Sequence, residues 1–206
     1  MDVREQLLHA ALKVYAASGS RGATTKRIAQ EAGVNEVTLF RHFGSKEALL
    51  HEALTWKAEQ ALDCRLPERP ADPEAELLEF CLRYHAALWA SRDLIRVCMG
   101  ELTEFPEAIQ AACRAPSALA DTLEAYLERL RARGLASGDW LPWQAGAMLM
   151  GAVFADVMGR DCMPQRYPDS PEAAIRAYVG LFLKAIGASV PACASRAAIT
   201  QPGQEP

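Results

Sequence analysis

Histidine is scarce in this chain: the 206 residues hold four, at positions 9, 42, 51 and 85, which leaves little capacity for general-base chemistry. There is no Gly-rich phosphate loop and no GxSxG elbow, so the usual phosphoryl-transfer and acyl-transfer signatures are missing. The cysteines stand apart at 64, 81, 98, 113, 162 and 193, with no CxxC and no His/Cys cluster. That spacing offers no metal site and argues against a disulfide scaffold in so large a chain. A long hydrophobic run is also absent. The most apolar stretch, 145–157, is too short to cross a bilayer and contains Asp156. Met1–Gln6 carries Asp2, Arg4 and Glu5 where a signal peptide would be apolar. These absences together predict a cytoplasmic protein that is not an enzyme, has no cofactor or metal, has no membrane partner and keeps its thiols reduced.

What is present is Ala and Leu in abundance, little Val, Ile or Thr, and no sustained two-residue alternation. The expected fold class is therefore all-α. Leu7, Leu8, Ala11, Leu12, Val14 and Tyr15 recur at helical spacing, predicting a first helix over 4–18. Short helices are expected over 26–32 and 36–43, and a longer one after Ser45. Three prolines around 65–73 make a connector, and Asp72-Pro73 and Ser170-Pro171 read as helix starts. The intervening helices are expected at 73–90, 92–102, 106–133 with an interruption near Pro116, and 143–158. A last helix covers 171–187, and 188–206 reads as a disordered tail.

Charge is divided unevenly. Residues 1–50 hold seven Lys/Arg against five Asp/Glu, net +2, and the remainder fifteen against twenty-one, net −6. A basic head on an acidic body suits a protein that meets a polyanion at one end.

The segment Thr24-Thr25-Lys26-Arg27-Ile28-Ala29-Gln30-Glu31-Ala32-Gly33-Val34-Asn35-Glu36-Val37-Thr38-Leu39-Phe40-Arg41-His42-Phe43 carries the functional signal. Two helices too short to stand alone meet at a glycine turn. Ala29 permits close approach, and Ile28, Val34 and Leu39 can fill the angle between them. This is a helix-turn-helix pattern, whose second helix enters the DNA major groove. It leaves Lys26, Arg27, Glu36, Val37, Thr38, Arg41 and His42 outward, a mixture suited to phosphates and base edges. Glu36 either accepts from a cytosine amine or stabilises its own helix N-terminus.

With Ser45-Lys46-Glu47-Ala48-Leu49 added, residues 5–54 resemble the DNA-binding domain of the TetR family. The resemblance implies a homodimer with an N-terminal three-helix helix-turn-helix domain at 1–50 and a helical ligand-binding and dimerisation domain at 51–187. It further implies a repressor that releases a palindromic, double-stranded operator when an unknown small-molecule effector binds. Position by position, Thr24, Thr25, Lys26, Glu36, Val37, Thr38, Phe40, Arg41, His42 and Lys46 fall on DNA-contacting positions. Phe40 stands where the family commonly has Tyr, so no hydroxyl is available there for a phosphate.

In the body, Ala147, Gly151 and Ala155 recur every four residues beside Phe154, and Tyr178, Leu181, Phe182 and Ala185 recur on the last helix. Both stripes suit either a four-helix dimer interface or the protomer's own core, and the resemblance favours the interface. Trp56, Phe80, Tyr84, His85, Trp89, Met99, Glu101, Phe105, Tyr126 and Met148 are the candidates for an effector pocket, with Arg92, Arg96 and Glu104 as further polar groups. Gly100–Glu107 resembles a junction of TetR-like ligand domains. Control by cysteine oxidation, with Cys81, Cys98 and Cys113 as candidates, or by a protein partner is the alternative to a small molecule.

Overall fold

The computed structural model describes residues 2–60, 64–101, 110 and 113–188, and no strand occurs among them. The predicted pocket residue Phe105, the polar candidate Glu104 and the tail at 189–206 lie outside the described residues.

The head is built from α1 (Val3–Gly22), α2 (Thr25–Glu31), α3 (Glu36–Phe43) and α4 (Lys46–Glu59). Each short helix starts on a side-chain cap. Thr24 accepts from Arg27 N, Asn35 from Thr38 N, and Ser45 from Ala48 N, satisfying amides that have no partner within the helix. The turn between α2 and α3 is a Schellman closure. Val34 N donates to Ala29 O at 2.9 Å and Gly33 N to Gln30 O at 3.2 Å, with Gly33 at φ +70°. Leu7, Leu8, Ala11, Ile28, Ala29, Leu39, Leu49, Leu50 and Leu54 form one buried core that holds the four helices together.

Among the described residues the body holds α5 (Pro73–Gly100), α6 (Arg114–Ala132), α7 (Pro142–Gly159) and α8 (Pro171–Ala185), with a 3-10 turn at Pro164–Arg166. One expectation is corrected here. The separate helices at 73–90 and 92–102 are one continuous helix, because nothing at Ala90 or Ser91 removes a backbone donor or forces a turn. The interruption expected near Pro116 falls at Cys113, a turn residue between helical Gln110 and the start of α6 at Arg114. Pro116 itself sits in the first turn of α6, where its missing N–H costs no hydrogen bond. Asp72 caps α5 by accepting from Ala75 N at 3.1 Å, and Ser170 caps α8 by accepting from Ala173 N at 3.3 Å.

The body core gathers Leu77, Phe80, Cys81, Tyr84, Leu123, Tyr126, Leu127, Leu149, Val153, Val179 and Phe182. Head and body are joined along α1 and α5, since Leu94, Val97 and Cys98 of α5 pack on the head core. No helix among the described residues is long and apolar enough to cross a membrane.

Candidate nucleic-acid interface

The recognition helix α3 buries Leu39 against the head and turns its other faces outward. Val37 is 75% exposed and Phe40 47% exposed, while Arg41 and His42 are exposed beside them. Phe40 is thus a surface residue rather than core. Lys26 on α2 is exposed as well.

Several of the expected contacts are committed within the head. Thr25 Oγ1 donates to Glu36 Oε2 at 2.7 Å, tying the start of α2 to the start of α3. Thr38 Oγ1 donates to Asn35 Oδ1 at 2.9 Å, alongside the Thr38 amide at 2.8 Å. Thr24 Oγ1 accepts from Arg27 N, and Arg27 Nη1 donates to Gly22 O at 2.8 Å, closing the end of α1. Lys46 Nζ donates to Ser20 O at 3.1 Å and is only partly exposed. These side chains set the angle between the short helices, whereas Lys26, Val37, Arg41 and His42 face solvent. Sequence spacing could not separate the two groups, because both occupy outward helical positions.

A model of the tetR family of bacterial regulatory proteins matches residues 7–53, and one of the AefR-like transcriptional repressor C-terminal domain matches residues 75–188. The chain belongs to the TetR family. Its members are DNA-binding transcriptional regulators with a ligand-binding C-terminal domain. Among relatives, the uncharacterized HTH-type transcriptional regulator YvkB of Bacillus subtilis (strain 168) is 26% identical over 186 residues, covering 89% of this chain and 97% of that one. A putative TetR-family regulator from Mesorhizobium loti MAFF303099 superposes with a TM-score of 0.73 at 22% identity, covering 90% of this chain and 96% of the other. The regulator FadR from Bacillus subtilis, solved with stearoyl-CoA, superposes with a TM-score of 0.68 at 20% identity, covering 88% and 98%.

The TetR-type body does not gather the expected pocket residues into one cavity. Phe80, Tyr84 and Tyr126 are packed in the body core, and Tyr126 Oη donates to Glu76 Oε2 at 2.5 Å. Trp56 packs on the head core, edge-on to His9 with centroids 4.6 Å apart, because the face of α4 that carries it turns toward α1. Met99 and Met148 are exposed. Glu101 reaches into the head, where its Oε1 accepts from Ser20 N and Ser20 Oγ. His85 and Trp89 stack with centroids 6.1 Å apart, and Arg92 lies 4.5 Å over the Trp89 ring. Arg96 donates to Asp161 at 3.1 Å and to Met158 O at 3.3 Å.

A cleft of about 570 Å³ lies elsewhere in the body, between the end of α4, the connector and the first half of α6. Ala58, Leu66, Ala115, Ala118 and Leu119 give it apolar walls, with Cys64, Glu59, Arg65 and Arg114 among them.

The stripes of α7 and α8 divide. Ala147, Gly151 and Ala155 are exposed, as are Leu181 and Ala185, and Met148 joins this outer face instead of a pocket. Phe154 and Tyr178 are half-buried. Phe182 is 2% exposed and belongs to the core, since it falls on the side of α8 facing α5.

Beneath that face is a cluster the sequence hardly announced. Asp156, with no exposed surface, accepts from Arg160 Nε at 2.7 Å, Arg160 Nη2 at 2.9 Å and Tyr178 Oη at 3.0 Å, and lies 3.1 Å from His85 Nε2. The available signal was an Asp inside an apolar run with an Arg four residues on.

Burial sets the chemistry of the thiols. It pushes Cys81 up to about 12 and Cys98 up to about 11, so both are protonated at neutral pH. Cys113 and Cys162 are exposed.

Proposed function

We propose that this TetR-family regulator is a cytoplasmic homodimeric repressor that binds a palindromic operator and releases it when a small molecule occupies the body. The observation that carries the reading is the outward surface of α3, where Val37, Arg41 and His42 project from a helix fixed by caps and by the Thr25–Glu36 bond. A helix rigidly held with its polar face in solvent is what major-groove insertion needs. Lys26 and His42 suit phosphate contact, and Arg41 suits a base edge or a phosphate.

The outer face of α7 and α8 supports dimerisation. Trp143, Ala147, Met148, Gly151, Ala155, Leu181 and Ala185 leave an apolar surface facing solvent on two adjacent helices. Pairing with its symmetry mate would remove that surface from water and set two heads at a fixed spacing on DNA.

The cleft between α4 and α6 is the proposed effector site. α4 starts two residues after the recognition helix and ends at Glu59 in that cleft, so occupancy there acts on the helix that supports the head. Stearoyl-CoA, present in the Bacillus subtilis FadR structure, is a rational first probe because the cleft combines apolar walls with arginines.

The test is selection of bound duplexes from a randomised pool by the full chain. A recovered palindrome supports a symmetric operator-binding dimer; recovery of no motif overturns it. Anisotropy titration of that duplex with and without stearoyl-CoA then tests release.

A further inference from the structure

We infer that Val37 is a specificity-determining residue that reads the 5-methyl group of a thymine in each operator half-site. The inference rests on the operator-binding reading above. The first turn of the recognition helix carries three side chains that could meet a base, namely Glu36, Val37 and Thr38. Two of them are already committed. The Glu36 carboxylate accepts from Thr25 Oγ1 at 2.7 Å, and the Thr38 hydroxyl donates to Asn35 Oδ1 at 2.9 Å. Val37 has no polar atom and is 75% exposed, the largest exposure among the large hydrophobic residues of the described chain.

An isopropyl group held in water at the tip of a rigid helix gains free energy only by covering another apolar surface. In the major groove the one apolar group on a base edge is the thymine 5-methyl. Guanine, adenine and cytosine offer donors and acceptors there, and a valine leaves these without partners. The readers are thereby divided. Val37 selects thymine by contact, and the hydrogen-bonding readout falls to Arg41, one helical turn further along the same face. Phe40 and the γ-methyl of Thr38 are the other apolar groups on this surface, so the experiment separates the three.

The duplex selected by the full-length protein is resynthesised with each symmetry-related thymine pair replaced by deoxyuridine, which deletes the methyl group and preserves pairing. One pair is expected to weaken binding about fourfold per half-site, the equivalent of one buried methyl group. In V37A that sensitivity disappears, while T38S and F40A retain it. Val37 is exposed, so its truncation leaves the head core intact. Insensitivity of the wild-type protein at every thymine overturns the inference alone. So does sensitivity that survives in V37A, or that is lost in T38S or F40A instead. Failure to select any duplex overturns the operator reading and this inference with it.

Discussion

The carboxylate of Glu101, at the end of α5, accepts hydrogen bonds from both the backbone amide of Ser20 at 2.9 Å and its hydroxyl at 3.1 Å. The same serine's carbonyl accepts from Lys46 at the start of α4. One buried residue therefore links the body to the last turn of α1 and to the helix behind the recognition helix. Gly19 makes the approach feasible. It adopts φ +66°, ψ −177°, a region essentially limited to glycine, and a Cβ there would lie 2.6 Å from Glu101 Oε1.

E101A removes the carboxylate that accepts from both the Ser20 amide and the Ser20 hydroxyl and is expected to cost about 1–3 kcal/mol. G19A is expected to cost a similar ~1–3 kcal/mol through backbone strain. Thermal melts of the two variants check this, and a G19A protein as stable as wild type would show that the break in α1 is not needed.

D156A should be among the more damaging body substitutions. Removing the carboxylate strands Arg160, which is only 11% exposed at its side chain, together with His85 and Tyr178. A cost of about 3–5 kcal/mol is expected from breaking a buried ion pair on one side. Denaturant unfolding reads it as a lowered midpoint with unchanged slope.

L181E tests the dimer. Leu181 is 65% exposed on the outer face of α8, so a charge there leaves the protomer folded but must be desolvated on pairing. Light scattering after size-exclusion chromatography is expected to show a dimer for wild type and a monomer for L181E. Equal masses for the two would remove this face from the interface.

Alkaline pH is expected to destabilise the fold progressively. Burial raises Cys81 from 9.0 to about 12 and Cys98 from 9.0 to about 11, and burial also raises Tyr84 and Tyr178 from 10.0 to about 12. Folding favours the protonated form of each. That stabilisation is complete below pH 9 and is lost as pH rises through 11 to 12. The melting temperature should therefore fall steadily above pH 9. At pH 8, iodoacetamide should label the exposed Cys113 and Cys162 in native protein and spare Cys81 and Cys98, read by peptide mass spectrometry. Rapid labelling of Cys98 would favour control by thiol oxidation.

R41A and K46A should differ. Arg41 is exposed on α3, and its loss should reduce discrimination between selected and scrambled duplexes if it reads a base. Lys46 donates to Ser20 O, so K46A should lower head stability as well as overall affinity. Competition titrations with both duplexes, beside melting curves, separate the two effects.

Much of the head was legible in the sequence because its signals are local. Thr24, Asn35 and Ser45 sit immediately before the helices they cap, and Gly33 marks a turn that needs left-handed backbone. The family followed from the same short segment. The pocket residues were not legible. Aromatic and methionine spacing along α4 to α7 cannot tell whether a side chain faces the head, the body core or solvent, and Trp56, Tyr126 and Met148 went to all three.

The sequence by itself determined the helical class, the helix starts and the helix-turn-helix, since caps, glycine turns and apolar periodicity act over a few residues. The tertiary structure decided which outward side chains are committed and which remain available. Thr25 meeting Glu36, Ser20 meeting Glu101 and His85 meeting Asp156 join residues 11, 81 and 71 positions apart. Such pairings follow from how helices pack against one another, and that packing minimises exposed apolar area over the whole chain rather than within any one segment.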